Sequence, residues 1–182
     1  MIDAFALLDL PRSLALEEKQ LREAYRIACK NRADDLREIG SADATLSEAY
    51  RLLQSPARRL RHWLELSGIG GETRGVVDGE LLNWFTAVGS TIQQADQVLR
   101  RHEQCQSQLA RAMMAAEMQK GQKSVEQQQQ ALAELTRQKT AVFPLLEAGA
   151  FNHEAAWICV RDLAFIEKWQ QQLRERYGRF FV

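Results

Sequence analysis

Four cations carry the most ordered charge in the chain. In Glu17–Arg32, EEKQLREAYRIACKNR, the side chains Lys19, Arg22, Arg26 and Lys30 recur at three- and four-residue spacing. At about 100° per residue they fall on one narrow arc of a helix, opposite Leu21, Ala24, Tyr25 and Ala28. Such a strip can dock an acidic partner, or it can simply be a solvated face. Catalytic chemistry finds less support. His62, His102 and His153 are scattered, without a Cys or carboxylate at metal-ligand spacing on a shared helix face. The carboxylate pairs Glu17-Glu18 and Asp34-Asp35 sit at helix ends, where they complement the helix dipole. Gly68–Gly71 follows a helix and lacks the preceding strand of a phosphate loop. Arg58, Arg59 and Arg61 have no interleaved aromatic platform of the kind that binds nucleic acid. No enzyme activity, metal, cofactor or nucleic-acid partner is expected.

The elements that position the strip are helices. Among 182 residues only Pro11, Pro56 and Pro144 break the backbone pattern, and no alternating run of β-branched residues suggests a strand. Hydrophobic residues make up 46% and charged residues 26%, with formal net charge zero. Bulk electrostatics therefore drives the chain onto neither nucleic acid nor membrane. No apolar run is long enough to span a bilayer, and there is no signal-like start. Cys29, Cys105 and Cys159 are too far apart and too few for a disulfide framework, so the cytoplasm is the expected compartment.

Four helices are expected in the first part. A short one spans Asp3–Leu10, ended by Pro11; the basic one spans Glu17–Arg32; a third spans Ala42–Gln54 after a charged loop at Arg32–Ser41. The fourth, Pro56–Leu66, has Ser55 as its cap, Leu60, Trp63 and Leu64 inward, and Arg58, Arg59 and Arg61 outward. Glycines at 68–71 and the stretch 72–77 form the linker, giving domains 1–71 and 78–182. The second domain opens with the stripe Leu81, Phe85, Val88, Ile92, Ala95 and Leu99. Lys120–Ser124 looks like a turn with Ser124 and Gln127 as a capping box, while a break at His102–Ser107 is the alternative. Gly149 closes the second long helix, and Asn152 caps a last one, His153–Tyr177. That helix has a core arc of Ala156, Cys159, Val160, Leu163, Ile166 and Leu173. Ile158, Phe165 and Trp169 lie on a neighbouring face, which either touches a second helix or meets a partner.

The order of the first four helices resembles a J-domain, and more closely the HscB type that serves iron–sulfur cluster assembly. The resemblance is carried by Phe5-Ala-Leu-Leu-Asp-Leu-Pro11, Leu21-Arg-Glu-Ala-Tyr25, Leu46-Ser-Glu-Ala-Tyr-Arg-Leu-Leu-Gln-Ser-Pro56 and Ala57-Arg-Arg-Leu-Arg-His-Trp-Leu-Glu-Leu-Ser-Gly68. It implies that Lys19, Arg22, Arg26, Lys30 and Asp35 face a DnaK-type chaperone. J-domains follow the second helix with His-Pro-Asp, needed to stimulate the chaperone's ATPase. Here Ala33-Asp34-Asp35 stands in its place, and only Asp35 agrees.

The closing helix, Phe151-Asn-His-Glu-Ala-Ala-Trp-Ile-Cys-Val-Arg-Asp-Leu-Ala-Phe-Ile-Glu-Lys168, resembles that of the HscB-type client-binding domain, a three-helix bundle that grips the iron–sulfur scaffold protein. The resemblance places client contacts at Leu82 and Thr86 on the first helix and Phe165 on the last, with Trp169 beside it. The family's flanking acidic residues are absent, since Ala87 and Ser90 stand there, and Arg100–Lys139 is unmatched. The resulting expectation is an all-α protein: a J-domain-like helical domain, then a three-helix bundle with elongated helices. It would act as a co-chaperone that binds a scaffold or other protein client. The alternatives are a degenerate J-like adaptor without ATPase stimulation and a plain helical interaction scaffold.

Overall fold

The computed structural model describes residues 2–34, 41–150 and 152–181. Among them every regular element is helical: α1 (Ala4–Leu7), α2 (Glu18–Asp34), α3 (Ser41–Gln54), α4 (Pro56–Leu66), α5 (Gly79–Glu103), α6 (Gln108–Met113), α7 (Ala115–Thr140), α8 (Phe143–Glu147) and α9 (His153–Arg179). The expected loop at Arg32–Ser41 lies mostly outside the described residues, as does Asp35. Packing divides the chain into two compact units. One holds Met1–Val76 and Thr140–Ala164; the other holds Val77–Lys139 and Phe165–Val182. The sequence reading cuts the chain once, in the 72–77 linker, whereas packing also joins Thr140–Ala164 to the N-terminal helices.

Two cores explain the first unit. Phe5 and Leu8 pack with Leu21 of α2 and Leu46, Ala49 and Leu53 of α3. Leu14 and α4's Leu60 and Leu64 pack with Phe143 and Leu146 of α8 and with Trp157, Val160 and Leu163 of α9. The first helix is shorter than expected. Asp3 caps it by accepting from the amides of Phe5 and Ala6, but it stops at Leu7. Asp9, at φ 51°, turns the chain back so that the Leu10 amide reaches the Phe5 carbonyl at 2.9 Å. The reversal therefore precedes Pro11, which terminates nothing. Arg59, expected outward, is buried: its Nη1 donates to the Leu53 carbonyl at 2.8 Å and its guanidinium lies 6.0 Å from the Phe143 ring centre. A long aliphatic stem lets the charged end reach an orphan carbonyl in the last turn of α3.

The linker is held, not loose. Trp157 lies so close to Gly71 that a Cβ there would meet the indole at 2.3 Å. Buried Arg161 donates from Nε to the Val76 carbonyl at 2.6 Å and from Nη1 to the Glu72 carbonyl at 2.8 Å.

The second unit is built on a long hairpin. Its strict register shows in three cross-pairs: Asp78 with Lys139 at 2.8 Å, Val98 beside Gly121, and Arg101 with Glu117 at 2.7 Å. The turn is at 104–107, the alternative left open by the sequence, and Ser107 caps α6 by accepting from the Ala110 amide. The turn and capping box expected at Lys120–Ser124 do not form, because α7 runs straight through. Gly121 has a packing role instead. A Cβ there would stand 3.1 Å from the Phe180 ring, so the missing side chain makes room for an aromatic. The second long helix also ends earlier than Gly149: α7 stops at Thr140, and Pro144, which can donate no backbone hydrogen bond, sits in the first turn of the separate α8. Asn152 caps α9 as read, its side chain accepting from the Glu154 amide at 2.8 Å. Leu81, Val88, Ala95, Val125, Leu132, Ile166 and Leu173 fill this unit's core. Among the described residues, no helix is long and apolar enough to cross a membrane.

His62 gives the first unit a pH dependence. It is buried, stacked on Phe5 at 5.8 Å, and its Nε2 accepts from the Ala4 amide at 3.1 Å. Burial, outweighing the nearby Asp3 and Glu65 carboxylates, pushes its pKa below the ordinary 6.5. The folded chain therefore holds His62 neutral where the unfolded chain protonates it. Its contribution is complete above the unfolded value and is lost as pH falls through and below about 6.5. Urea melts across that window should show a falling midpoint, and His62→Gln, which keeps an acceptor but does not titrate, should flatten the slope.

Candidate functional site

The basic strip of α2 is exposed along its length at Lys19, Arg22, Arg26 and Lys30, while Leu21 is buried and Ala24, Tyr25 and Ala28 are half-buried. Its charge is smaller than the sequence suggests. Arg22 is paired with Glu18, one turn before it. Arg26 is gripped by Glu23 through two contacts, Nε to Oε2 at 2.9 Å and Nη2 to Oε1 at 2.6 Å. That hydrogen bond raises the Arg26 pKa and lowers that of Glu23. Lys19 and Lys30 make no ion pair among the described residues. The fifth residue assigned to this surface, Asp35, lies outside the described residues.

The backbone adds one observation. The second helix was read as ending near Arg32, with Ala33-Asp34-Asp35 in a loop; α2 instead continues through Asp34. Two of the three positions where a J-domain carries His-Pro-Asp are therefore helical here.

The second surface lies on α5 and α9 within the second unit. Leu82 is 60% exposed and Phe85 39% exposed, Thr86 is exposed, and Phe165 is half-buried. Phe85 sits edge-on to Phe165 at 5.2 Å and perpendicular to Trp169 at 4.7 Å; Phe165 and Trp169 are 6.2 Å apart. Edge-to-face geometry of this kind adds about 0.5–1.5 kcal/mol per pair beyond area burial. The rings form one cluster whose floor is buried and whose rim is open.

Two sequence expectations change here. Trp169 was expected to be partly exposed; it is 6% exposed and belongs to the core with Leu81, Val88 and Ile166. Phe85 was placed on the core stripe, yet it stands on the rim. The signal for it was present: on a helix Phe85 lies about 40° from Leu81 toward Leu82, at the margin of the core arc. With Trp169 filling the space below, the margin becomes surface. Thr86 lies on the same helix face one turn after Leu82, and Ala87 and Ser90 add no charge. From Leu81 to Ala95 α5 carries no ionisable side chain at all.

Neither surface assembles a catalytic group, and among the described residues no cluster of His, Cys, Asp and Glu is placed to hold a metal ion. What the geometry offers is binding: a partly neutralised basic helix face and an uncharged aromatic rim.

No protein-family model matches the chain. A curated relative, the co-chaperone protein HscB homolog of Bordetella avium, is 29% identical over 182 residues, covering 94% of this chain and 95% of the relative. The solved chaperone HscB from Vibrio cholerae superposes with a TM-score of 0.54 at 20% identity, covering 96% of both chains. The chain is HscB-like in sequence along nearly its whole length, and its all-helical fold, J-domain-like helices followed by a helical domain, is that of HscB.

The division of the aromatic cluster into floor and rim has a stability signature. Trp169→Ala should lower the unfolding free energy by about 3–5 kcal/mol, the cost of emptying a core site. Leu82→Ala should change it by no more than about 0.5 kcal/mol. Chemical denaturation of the two variants measures both.

Proposed function

We propose that this HscB-like chain is a cytoplasmic co-chaperone that works by binding, taking a protein client on the rim formed by Leu82, Phe85, Thr86 and Phe165. The iron–sulfur scaffold protein is the client that the family likeness suggests. The observation that carries the reading is the pairing of Phe85 and Phe165 over a buried Trp169: large apolar side chains held partly in water on a rigid floor. Aromatic anchors of this kind dominate protein interfaces because they bury much area with little side-chain entropy to lose. Trp169 supports the rim and does not contact the client. Calorimetric titration with the iron–sulfur scaffold protein of the same cell tests this. Phe165→Ala should weaken binding by about 2 kcal/mol with a smaller loss of stability. A variant that unfolds while its remaining folded fraction binds normally would return Phe165 to the core and end the assignment.

The same reading gives α2 the role of docking a DnaK-type chaperone through Lys19, Arg22, Arg26 and Lys30, weakly and with strong salt dependence. Stimulation of ATP hydrolysis is a separate matter. Ala33 supplies no imidazole, position 34 lacks a proline's stiff turn, and the helix continues through both. The chain is then an adaptor or a competitor for the chaperone's docking surface. Single-turnover ATP hydrolysis by the cognate chaperone should be accelerated little or not at all. Ala33→His with Asp34→Pro should restore part of the acceleration. Strong acceleration by the unmodified chain, lost in Arg26→Ala, would reject the adaptor reading.

A further inference from the structure

Gly89 stands exposed on α5, and nothing inside the second unit requires a glycine there. Its φ is not positive, so the backbone would accept any residue. A Cβ built on it would meet nothing within 4 Å, whereas at Gly121 a Cβ would press on the Phe180 ring. A glycine inside a helix lowers the folding equilibrium about two- to fivefold relative to alanine. No packing or backbone need within the unit offsets that cost. Its position is informative. Gly89 lies one turn after Phe85 and two turns after Leu82, within about 40° and about 20° of them around the helix. It therefore extends the rim along α5 as bare backbone. α9 runs beside this stretch, meeting Phe85 through Phe165 and Trp169 before it and Asp96 through Arg176 after it.

The same stretch lacks charge. From Leu81 to Ala95 no side chain of α5 ionises. The acids that bound it are engaged within the unit, Asp78 by Lys139 at 2.8 Å and Asp96 by Arg176 at 3.0 Å. On α9, Lys168 is exposed a turn after Phe165, but it lies on the side of that residue opposite Trp169, and so away from α5. A charged group brought against Gly89 would lose water without gaining a counter-ion.

We infer that Gly89 is the point of closest approach on the client surface, where an uncharged, apolar side chain of the client seats on the bare α5 backbone beside Phe85. The inference rests on the reading of Leu82, Phe85 and Phe165 as the client rim and adds a specificity-determining residue to it. The rings supply anchoring area. The glycine supplies depth, since a side chain at position 89 would hold the client off the face. The missing side chain serves the complex and not the free fold, so filling it should move stability and binding in opposite directions.

Calorimetric titration of the full chain with the iron–sulfur scaffold protein of the same cell, paired with urea denaturation of each variant, tests the inference. Gly89→Leu should weaken binding by at least about fivefold, as overfilling a packed contact does. Gly89→Ala should weaken it less while raising the folding equilibrium about two- to fivefold. Asn83→Leu, about 120° away around the helix, should leave binding as it is. The affinity of the unaltered chain should change less than about twofold as salt rises from about 0.05 to about 0.5 M, because the contact neutralises no charge. Unchanged or tighter binding by Gly89→Leu, with Phe165→Ala weakened, overturns the inference and leaves the rim as the client surface. Equal weakening by Asn83→Leu overturns it as an effect of bulk alone, and a steep loss of affinity with salt overturns the uncharged occupant. If Phe165→Ala also binds normally, or the unaltered chain does not bind, the rim is not the surface for this client and both readings fall.

Discussion

Trp169 occupies the space beneath Phe85, and the rest of the candidate client surface depends on that. With the indole in the core, the neighbouring phenyl rings cannot sink. Phe85 leans edge-on against both Trp169 and Phe165, and Leu82, a turn earlier, is left in water. The exposure of these residues follows from steric exclusion by one buried side chain, so the rim is presented in a fixed geometry. A binding surface held this way loses little entropy when a partner arrives.

The two recognition surfaces differ in their physics. The α2 face works through charge, but half of its cations are already engaged by glutamates on the same helix. A partner's carboxylates must displace Glu18 and Glu23 or rely on Lys19 and Lys30, which lowers the gain from docking. The α5 stretch from Leu81 to Ala95 has no charge to screen or displace, so binding there depends on apolar burial and shape.

Much of the local order was legible in the sequence. Ser55-Pro56 set the start of α4, Asn152 that of α9, and the seven-residue step from Leu81 to Val88 to Ala95 marked the buried side of α5. These are short-range signals, decided within a turn or two. The misreadings were long-range. Gly121 read as a turn because its partner, Phe180, is far away in the chain. Arg59 read as a surface charge because the carbonyl and ring that receive it belong to other helices. Phe85 and Trp169 exchanged expected roles because periodicity ranks faces but does not say which of two adjacent rings reaches the interior first.

The first unit's return visit to the chain bears on how the protein is made. Its second core needs Phe143, Leu146, Trp157, Val160 and Leu163, and the linker carbonyls of Glu72 and Val76 wait for Arg161. Neither those five side chains nor Arg161 exists when the fourth helix leaves the ribosome. The N-terminal helices must persist half-covered, with the apolar side of α4 bare, while the whole hairpin is synthesised. Only when the start of α9 emerges can the earliest-made part of the molecule close. Synthesis order and completion order are thus reversed, and the interval between them is the period in which the nascent chain itself is most in need of a chaperone.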